Sequence, residues 1–549
     1  MFEEKNIFLI ILDNPKVLVK LFFITYLGVG LYIFRDYGIA FDEDIQRLMA
    51  QNRIDYIKFF FSDIFTQSNT KIKDVIIKWP EYGVAFELPA LWFEKLFNFS
   101  NTRNEYFFRH LLVFLTSFVG SIFFFLLIKQ KFKSWKIGLI GTFLLITSPR
   151  IFAESFYNSK DIIFMYFFII NVFFSLKFLE KPSLANSLIF AFTSSLCIGV
   201  RVIGLLIPFV TLFFLWIKYL RKDYYKSILP NLAIFFLSFL FFLILLWPSL
   251  WENSFENFFY SLKSFKSYDY EIFNYYFGHF VYSKAIHWFY FPLWISVTTP
   301  FFIILLFMYG FSVSIYRIFN RLIKISKDND LNDLWRGRIE FQELFFTVFI
   351  IAPIFLVVVF KSTSYSGWRH LYFIYPFIIL LSLSGLNILY RKIIKIKSQK
   401  IIYLSKVIFS LILINNLFWL YTNHPFQNNY FNFLAGKKPH NNFEVDYWGL
   451  SNKFVLEKII SNDTKEIIKV TKISDTSLSE NFNILTESQK KRIKYVGDIT
   501  KSDYIVNNNI FFNGDTTKVK KIPNNFNVYY QLFVDDTLVT TIYKRNNPL

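Results

Sequence analysis

The stretch FDEDIQ at 41–46 places three carboxylates, Asp42, Glu43 and Asp44, directly after the first long apolar run. A carboxylate at a membrane surface can take the proton of a hydroxyl that is otherwise a weak nucleophile, provided the two come within hydrogen-bond distance. Asp42, with Glu43 beside it, is the candidate general base. The structural alternative is a solvated acidic cap at a helix N-terminus, which the helix dipole favours. Cations suited to steadying a departing anion lie far off in the sequence: Arg369 and His370 at the start of one apolar run, Arg201 and Arg150 at the borders of others. A guanidinium fork bonds two oxygens at once, which fits a leaving phosphate; snorkelling toward lipid headgroups is the alternative for the same residues. Arg201 is the more telling, because it interrupts the apolar runs CIG and VIGLL. An arginine near hydrocarbon costs about 2.5–3.5 kcal/mol on insertion scales, so it is expected to face a pocket or a counter-charge. Asp161 and Glu154 are the acidic candidates for that pairing. One base acting directly on an acceptor makes a single displacement with no covalent intermediate, so inversion at the reacting carbon is expected.

The elements that must position these groups follow from composition. Of 549 residues, 54% are hydrophobic and 75 are Phe, and the mean hydropathy is +0.36. An ordinary globular domain is roughly 45–50% apolar with glycine included, so the chain reads as an all-α polytopic membrane protein. Runs long enough to span the hydrocarbon layer number about eleven. They lie near 17–34, 107–128, 137–148, 162–179, 184–199, 202–217, 231–247, 292–315, 344–360, 371–389 and 401–421. The net charge of +20 does not indicate nucleic acid, since the basic residues gather in short connections where they set orientation. Cys197 is the single cysteine and forms no internal disulfide. The six histidines are dispersed, with none at i+4 from another to suggest a helical metal site.

The basic connections at 129–136, 218–226, 317–338 and 390–400 fall on one side when the spans alternate. The positive-inside rule makes that side cytoplasmic. The other side receives 35–106, the turn SPRIFAESFYNSK, the aromatic stretch 249–291, the turn STSYSGWR and everything after 421. The start MFEEKN carries acidic as well as basic residues, and no small-residue cleavage site follows, so the first span is expected to remain as an anchor. Within the first outer connection, 42–61 and 84–97 have near-helical apolar spacing, as helices lying in the interface would. The stretch 249–291 is aromatic enough for the headgroup level, as an anchor or a mobile lid. Residues 1–450 form the transmembrane part, and 451–549 a small extracytoplasmic α/β domain ending in a hairpin that turns at VDDT.

Five stretches taken in order resemble the polytopic glycosyltransferases of the C superfamily. They are the acidic pair Asp42-Glu43; PRIFAESFYNSKDIIFMYFF at 149–168; YYFGHFVYSKAIHWFYFPLWISVTTPFFIILLF at 275–307; GWRHLYFIYPFIILLSLSG at 367–385; and HPFQNNYFNFLAG with EVDYWGLS at 424–451. The likeness is to family 39 protein O-mannosyltransferases and to bacterial enzymes that move a sugar from a polyprenyl-phosphate carrier to lipid A. It implies a lipid-linked sugar donor, a glycan, lipid or protein acceptor, and a bacterial inner membrane with the N-terminus inside and the C-terminal domain outside. It also implies a contact between Asp161 and a lysine of the first loop, for which Lys78 is the nearest match. Some relatives use a divalent ion, Mg or Mn, and others none; the metal is left open, for no closed ligand set is visible. The chain departs from the family pattern at KWPEYGVAFELPALW and at His287-Trp288-Phe289. The rival reading is a polytopic transporter or lipid-linked sugar flippase, which repeated halves and midplane polar sites would favour.

Overall fold

The computed structural model of the protein describes residues 14–66, 77–221, 228–266, 271–323 and 334–546. The mixed-charge start at 1–6 and parts of the connections at 218–226, 249–291 and 317–338 lie outside the described residues. Each expected span but 292–315 falls on one apolar helix. Nine helices among the described residues are long and apolar enough to cross a membrane: Pro15–Ile33, Thr102–Phe132, Asp161–Glu180, Val202–Leu220, Ile228–Leu246, Phe301–Arg321, Gly337–Phe360, Arg369–Lys395 and Gln399–Thr422. The helix Leu184–Ile198 is shorter, and Trp135–Ile146 joins Pro149–Tyr157 at a bend of 71°.

Two breaks differ from the sequence reading, and proline causes both. The stretch expected as one span at 292–315 is a helix Tyr290–Thr298, an extended Thr299 (φ −105°, ψ 142°), then a second helix Phe301–Ile323. Pro300 forces the residue before it out of helical geometry. Likewise Ser148 is extended before Pro149, and the expected outer turn 149–160 begins as a buried helix, Pro149–Tyr157. That bend carries Arg150 and Glu154 into the protein instead of along its surface.

Asp161–Glu180 and Arg369–Lys395 are the central helices, most of their residues buried, whereas Gln399–Thr422 lies at the periphery and buries only Asn416 and Leu420. Peripheral helices turn Leu237, Phe241, Phe418 and Tyr421 outward, as a backbone satisfied within its own helix permits in lipid. Phe301–Ile323 and Tyr375–Lys395 meet at Gly310 and Gly385, where a Cβ on either residue would collide with the facing backbone; small residues allow this close approach. Toward the basic connections, Glu343 gathers Lys131 (3.2 Å), Arg317 (2.7 Å) and Ser384 (3.0 Å).

The expected helices of the first outer connection are Glu43–Thr66 and Glu87–Phe97. The aromatic stretch forms a helix, Ser254–Lys266, and a hairpin of β1 (Phe273–Tyr276) and β2 (His279–Tyr282). After residue 450 comes the helix Ser451–Asn462 and a five-stranded sheet of order β4-β3-β5-β7-β6. Its strands are β3 (Ile468–Lys472), β4 (Ile493–Tyr495), β5 (Tyr504–Asn507), β6 (Phe526–Val534) and β7 (Thr537–Arg545). β3 pairs in parallel with β4 and β5, and β7 runs antiparallel to β5 and β6. The hairpin turns at Asp535 and Asp536, as the sequence indicates. Helix residues Val455, Leu456 and Ile459 pack on Ile468, Val470 and Val506. The sheet unit is tied to the acidic stretch: Asn481 Nδ2 donates to the Ile39 carbonyl at 3.0 Å, the Ile39 amide donates to Asn481 Oδ1 at 2.9 Å, and Lys453 Nζ donates to the Arg35 carbonyl at 2.6 Å.

Candidate active site

The adjacent carboxylates Asp42 and Glu43 face different surroundings. Glu43 opens the helix and turns inward, where its side chain is almost fully buried. It accepts from the Ala40 amide at 2.6 Å and lies 3.1 Å from His110 Nε2. Asp42 stays outside the helix and accepts from Arg369 Nη1 at 2.7 Å through Oδ2, its side chain 25% exposed.

Arg369 reaches that position through a turn shaped by Gly367, which sits at φ +67° against the Trp294 ring; a left-handed residue is needed there and glycine adopts it freely. Trp368 then anchors the chain, donating from its indole to Thr298 Oγ1 at 2.8 Å. The Arg369 guanidinium lies over the rings of Trp448 (4.6 Å) and Tyr365 (4.8 Å).

Asp161 begins its helix and is fixed by Asn158, whose Oδ1 accepts the Asp161 amide at 2.7 Å. Its carboxylate bonds Arg201 and lies 3.9 Å from Arg369 Nη1. The interrupting arginine of the sequence therefore has its counter-charge. The expected lysine partner is different: Lys78 is exposed, with its amide bonded to Asn52 and its carbonyl to Arg53. The place implied for Lys78 beside Asp161 is held by Arg201.

A third cation, Lys160, completes the cluster. Its ammonium lies 3.6 Å from the centre of the Tyr82 ring. Burial, and then the nearby Arg201, push it down to about 7, against the opposing pull of Asp42 and Asp161. Arg201 and Arg369 thus balance the two carboxylates, and Lys160 adds a positive charge when it carries its proton. Lys160 escaped the sequence reading, although an unpaired lysine at a helix N-terminus opposes the dipole and is a usable signal. Beside the cluster is a cleft of about 100 Å³ whose polar wall includes Glu81, Tyr82, Arg201, Ser364, Tyr365 and His370 and whose apolar wall includes Val357 and Phe373. A larger hollow of about 620 Å³ opens one turn along the helix from Asp42, between Asp44, Arg47, Gln51, Glu94 and Asn98.

The remaining expected residues stand apart. Glu154 is fully buried and satisfied by neutral donors, Tyr372 OH (2.6 Å), Asn158 Nδ2 (2.7 Å) and Tyr447 OH (3.2 Å). It pairs with neither Arg201 nor Arg369. Arg150 is buried over Trp294 and Phe431 instead of joining the other cations. Trp448 and Glu444, both within EVDYWGLS, carried no expected role, yet Trp448 stacks on Arg369. Burial pushes the Glu444 carboxyl up to about 7, against the Tyr275 amide and the nearby Arg369 and Arg150. Among the described residues no three His, Cys, Asp or Glu side chains are placed to hold a metal.

No known protein-family profile matches the chain, and no curated protein matches it. Among solved structures, ArnT from Cupriavidus metallidurans in the apo state aligns with a TM-score of 0.46 at 12% identity, over 96% of this chain and 98% of that one. ArnT from the same organism bound to undecaprenyl phosphate aligns with a TM-score of 0.44 at 13% identity, over 95% and 97%.

Proposed function

We propose that the protein is a membrane-embedded glycosyltransferase of the C-superfamily type. It moves a sugar from a polyprenyl-phosphate donor to an acceptor hydroxyl. The observation that carries this reading is the arrangement of Asp42 and Asp161 with Arg369, Arg201 and Lys160 beside a cleft with one apolar wall. A lipid phosphate brings one anionic group and one apolar chain, and the two guanidiniums with a Lys160 that can take up a proton answer the first, the apolar wall the second. The cleft is well under the roughly 300 Å³ of a small-ligand pocket, so it suits the phosphate without the sugar.

In this reading Arg201, Lys160 and Arg369 hold the carrier phosphate, and their charge stabilises it as it leaves. His370 lines the same wall. Asp42, with Oδ2 engaged by Arg369, takes the proton of the acceptor hydroxyl. The acceptor oxygen bonds to the anomeric carbon while the bond from that carbon to the phosphate oxygen breaks, and the carrier phosphate keeps the electron pair. One displacement inverts the anomeric centre. Asp161 orients Arg201 and Arg369, and Glu43 holds the helix that presents Asp42. The larger hollow, lined by carboxylates and amides one turn from Asp42, is the place assigned to a polyhydroxylated acceptor. Orientation follows from charge: the basic connections lie in the cytoplasm, and Asp42 and the sheet unit lie outside it.

The test is incubation of the purified protein with a panel of polyprenyl-phosphate sugars, following which donor is consumed. Asp42→Asn keeps the size of the side chain and removes its charge. Loss of transfer with normal membrane insertion supports the reading, and undiminished transfer by Asp42→Asn overturns it.

A further inference from the structure

Residues 443–446 bring a second polar set against the aromatic hairpin. Phe443 pairs with Tyr276 as an isolated antiparallel bridge. The Glu444 amide donates to the Tyr275 carbonyl at 3.1 Å, and the Tyr275 amide donates to Glu444 Oε1 at 2.9 Å. The Phe443 ring packs against Trp294 (5.2 Å) and Phe431 (5.6 Å). Over Trp294 and Phe431 lies the Arg150 guanidinium, at 5.5 and 5.1 Å from the ring centres.

Arg150 is 2% exposed and Glu444 6%. Yet Nε and Nη1 of Arg150, Oε2 of Glu444 and the indole Nε1 of Trp294 have no hydrogen-bond partner. Buried polar atoms almost always have one, and an exception requires an explanation. Here three donors and one acceptor are left over around aromatic faces. A phosphate would answer Arg150 but be repelled by Glu444 wherever that carboxyl is ionised, and a lipid chain would answer neither. A saccharide ring supplies what is missing: oxygens that accept, hydroxyls that donate, and a C–H face that packs on an aromatic ring.

Position agrees with that choice. Arg369 and Arg150 both act on the Glu444 carboxyl, so this set adjoins the cluster assigned to the phosphate. In a lipid-phosphate sugar the two moieties share one oxygen, so a phosphate held by Arg369 and Arg201 brings the sugar to the neighbouring wall.

We propose that Arg150, Trp294 and Glu444 form the subsite that reads the transferred sugar of the donor. Arg150 and Trp294 donate to its oxygens, and Glu444 Oε2 accepts from one of its hydroxyls or from an amine. This assignment rests on the glycosyl-transfer reading and gives Arg150 a different part from the phosphate contact that the sequence suggests.

The experiment uses the full-length protein in nanodiscs and compares two affinities. Binding of a sugar-free polyprenyl phosphate is measured directly, and KM and kcat are measured with the sugar-bearing donor that the wild type consumes. In Glu444→Gln and Arg150→Gln, KM for the donor is expected to rise about ten-fold or more, with binding of the sugar-free carrier within about two-fold of wild type. Trp294→Phe keeps one aromatic ring in place and removes the N–H with the second ring; a smaller rise in KM with unchanged carrier binding is expected, and this uncharged variant serves if the charged ones do not fold. Unchanged donor KM in Trp294→Phe and in whichever charged variants fold overturns the assignment while leaving the transfer reading intact. An equal loss of sugar-free carrier binding also overturns it, because the residues then belong to the phosphate site. A wild type that turns over no donor in the panel overturns the transfer reading itself.

Discussion

Arg369 Nη1 donates to Asp42 Oδ2 at 2.7 Å across 327 positions of sequence. The bond joins the first turn of one central helix, Arg369–Lys395, to the connection that follows the first span. It also fixes which way a partly exposed carboxylate faces, since Arg369 is itself held between Trp448 and Tyr365. A planar guanidinium can serve a carboxylate, two ring faces and an arriving phosphate together; an ammonium is a point charge and cannot. Arg369→Lys is therefore expected to lose at least about ten-fold in kcat/KM despite keeping the charge. Arg369→Gln is expected to lose about 10²–10⁴-fold, the range for removing a group that positions acid–base chemistry. Initial rates across donor concentration, in protein whose expression and melting match the wild type, are the measurement.

Neighbouring carboxylates should separate in their phenotypes. Glu43 is buried against His110 and the Ala40 amide, so Glu43→Ala leaves a buried amide and ring nitrogen without their acceptor. A cost of about 1–3 kcal/mol in stability is expected, with kcat per folded molecule close to wild type. Asp42→Asn should do the reverse. Thermal unfolding in detergent alongside activity corrected for folded fraction would reveal whether both variants behave alike, which would count against the division.

What the sequence could reveal follows from where the information is local. Apolar runs mark the spans because lipid admits only a self-satisfied backbone, and Arg201 announces its need for a counter-charge because it interrupts two such runs. The carboxylate that answers it is not written locally. Asp161 and Glu154 stand seven residues apart on either side of the Asn158 turn, and only packing sends one to Arg201 and the other to Tyr372 and Tyr447. The same holds for Asp42 and Glu43, which part because the helix begins between them. Pro300 stands inside the run 292–315, whose apolar pattern continues across it, and the inward turn of Arg150 depends on a 71° bend that no periodicity encodes.

Lys160 should give donor binding a pH dependence of definite sign. Its folded-state value of about 7 lies below the ordinary lysine range because burial and Arg201 disfavour the charged form. An anionic donor favours that form, so free protein must take up a proton on binding wherever Lys160 is neutral. Donor affinity is therefore expected to be greatest below pH 7 and to weaken as pH rises above it. Lys160→Gln should reduce this dependence to what Glu444, also near 7, contributes, and weaken donor binding at pH 6 by about ten-fold or more, the loss of one hydrogen bond to a charged group. Lys160→Arg should bind well at both pH 6 and pH 8.5. Donor titrations at those two values for the three proteins are the check, and a wild-type affinity that is flat or rises between them would remove Lys160 from the phosphate contact.

At the opposite end of the bundle, Glu343 balances Lys131 at 3.2 Å and Arg317 at 2.7 Å, with Lys131 completely buried and Glu343 nearly so. Removing one partner of a buried pair leaves the other charged and unanswered, which costs about 3–5 kcal/mol. Glu343→Gln is expected to lose stability on that scale, and the double variant Glu343→Gln with Lys131→Met should recover part of it, because the stranded ammonium is then gone. Neither change should alter the KM for donor in molecules that fold, since the cluster lies on the side of the basic connections, away from Asp42. Unfolding curves for the single and double variants decide the point: a double variant no more stable than Glu343→Gln would mean that Lys131 was never the group left in want of a partner.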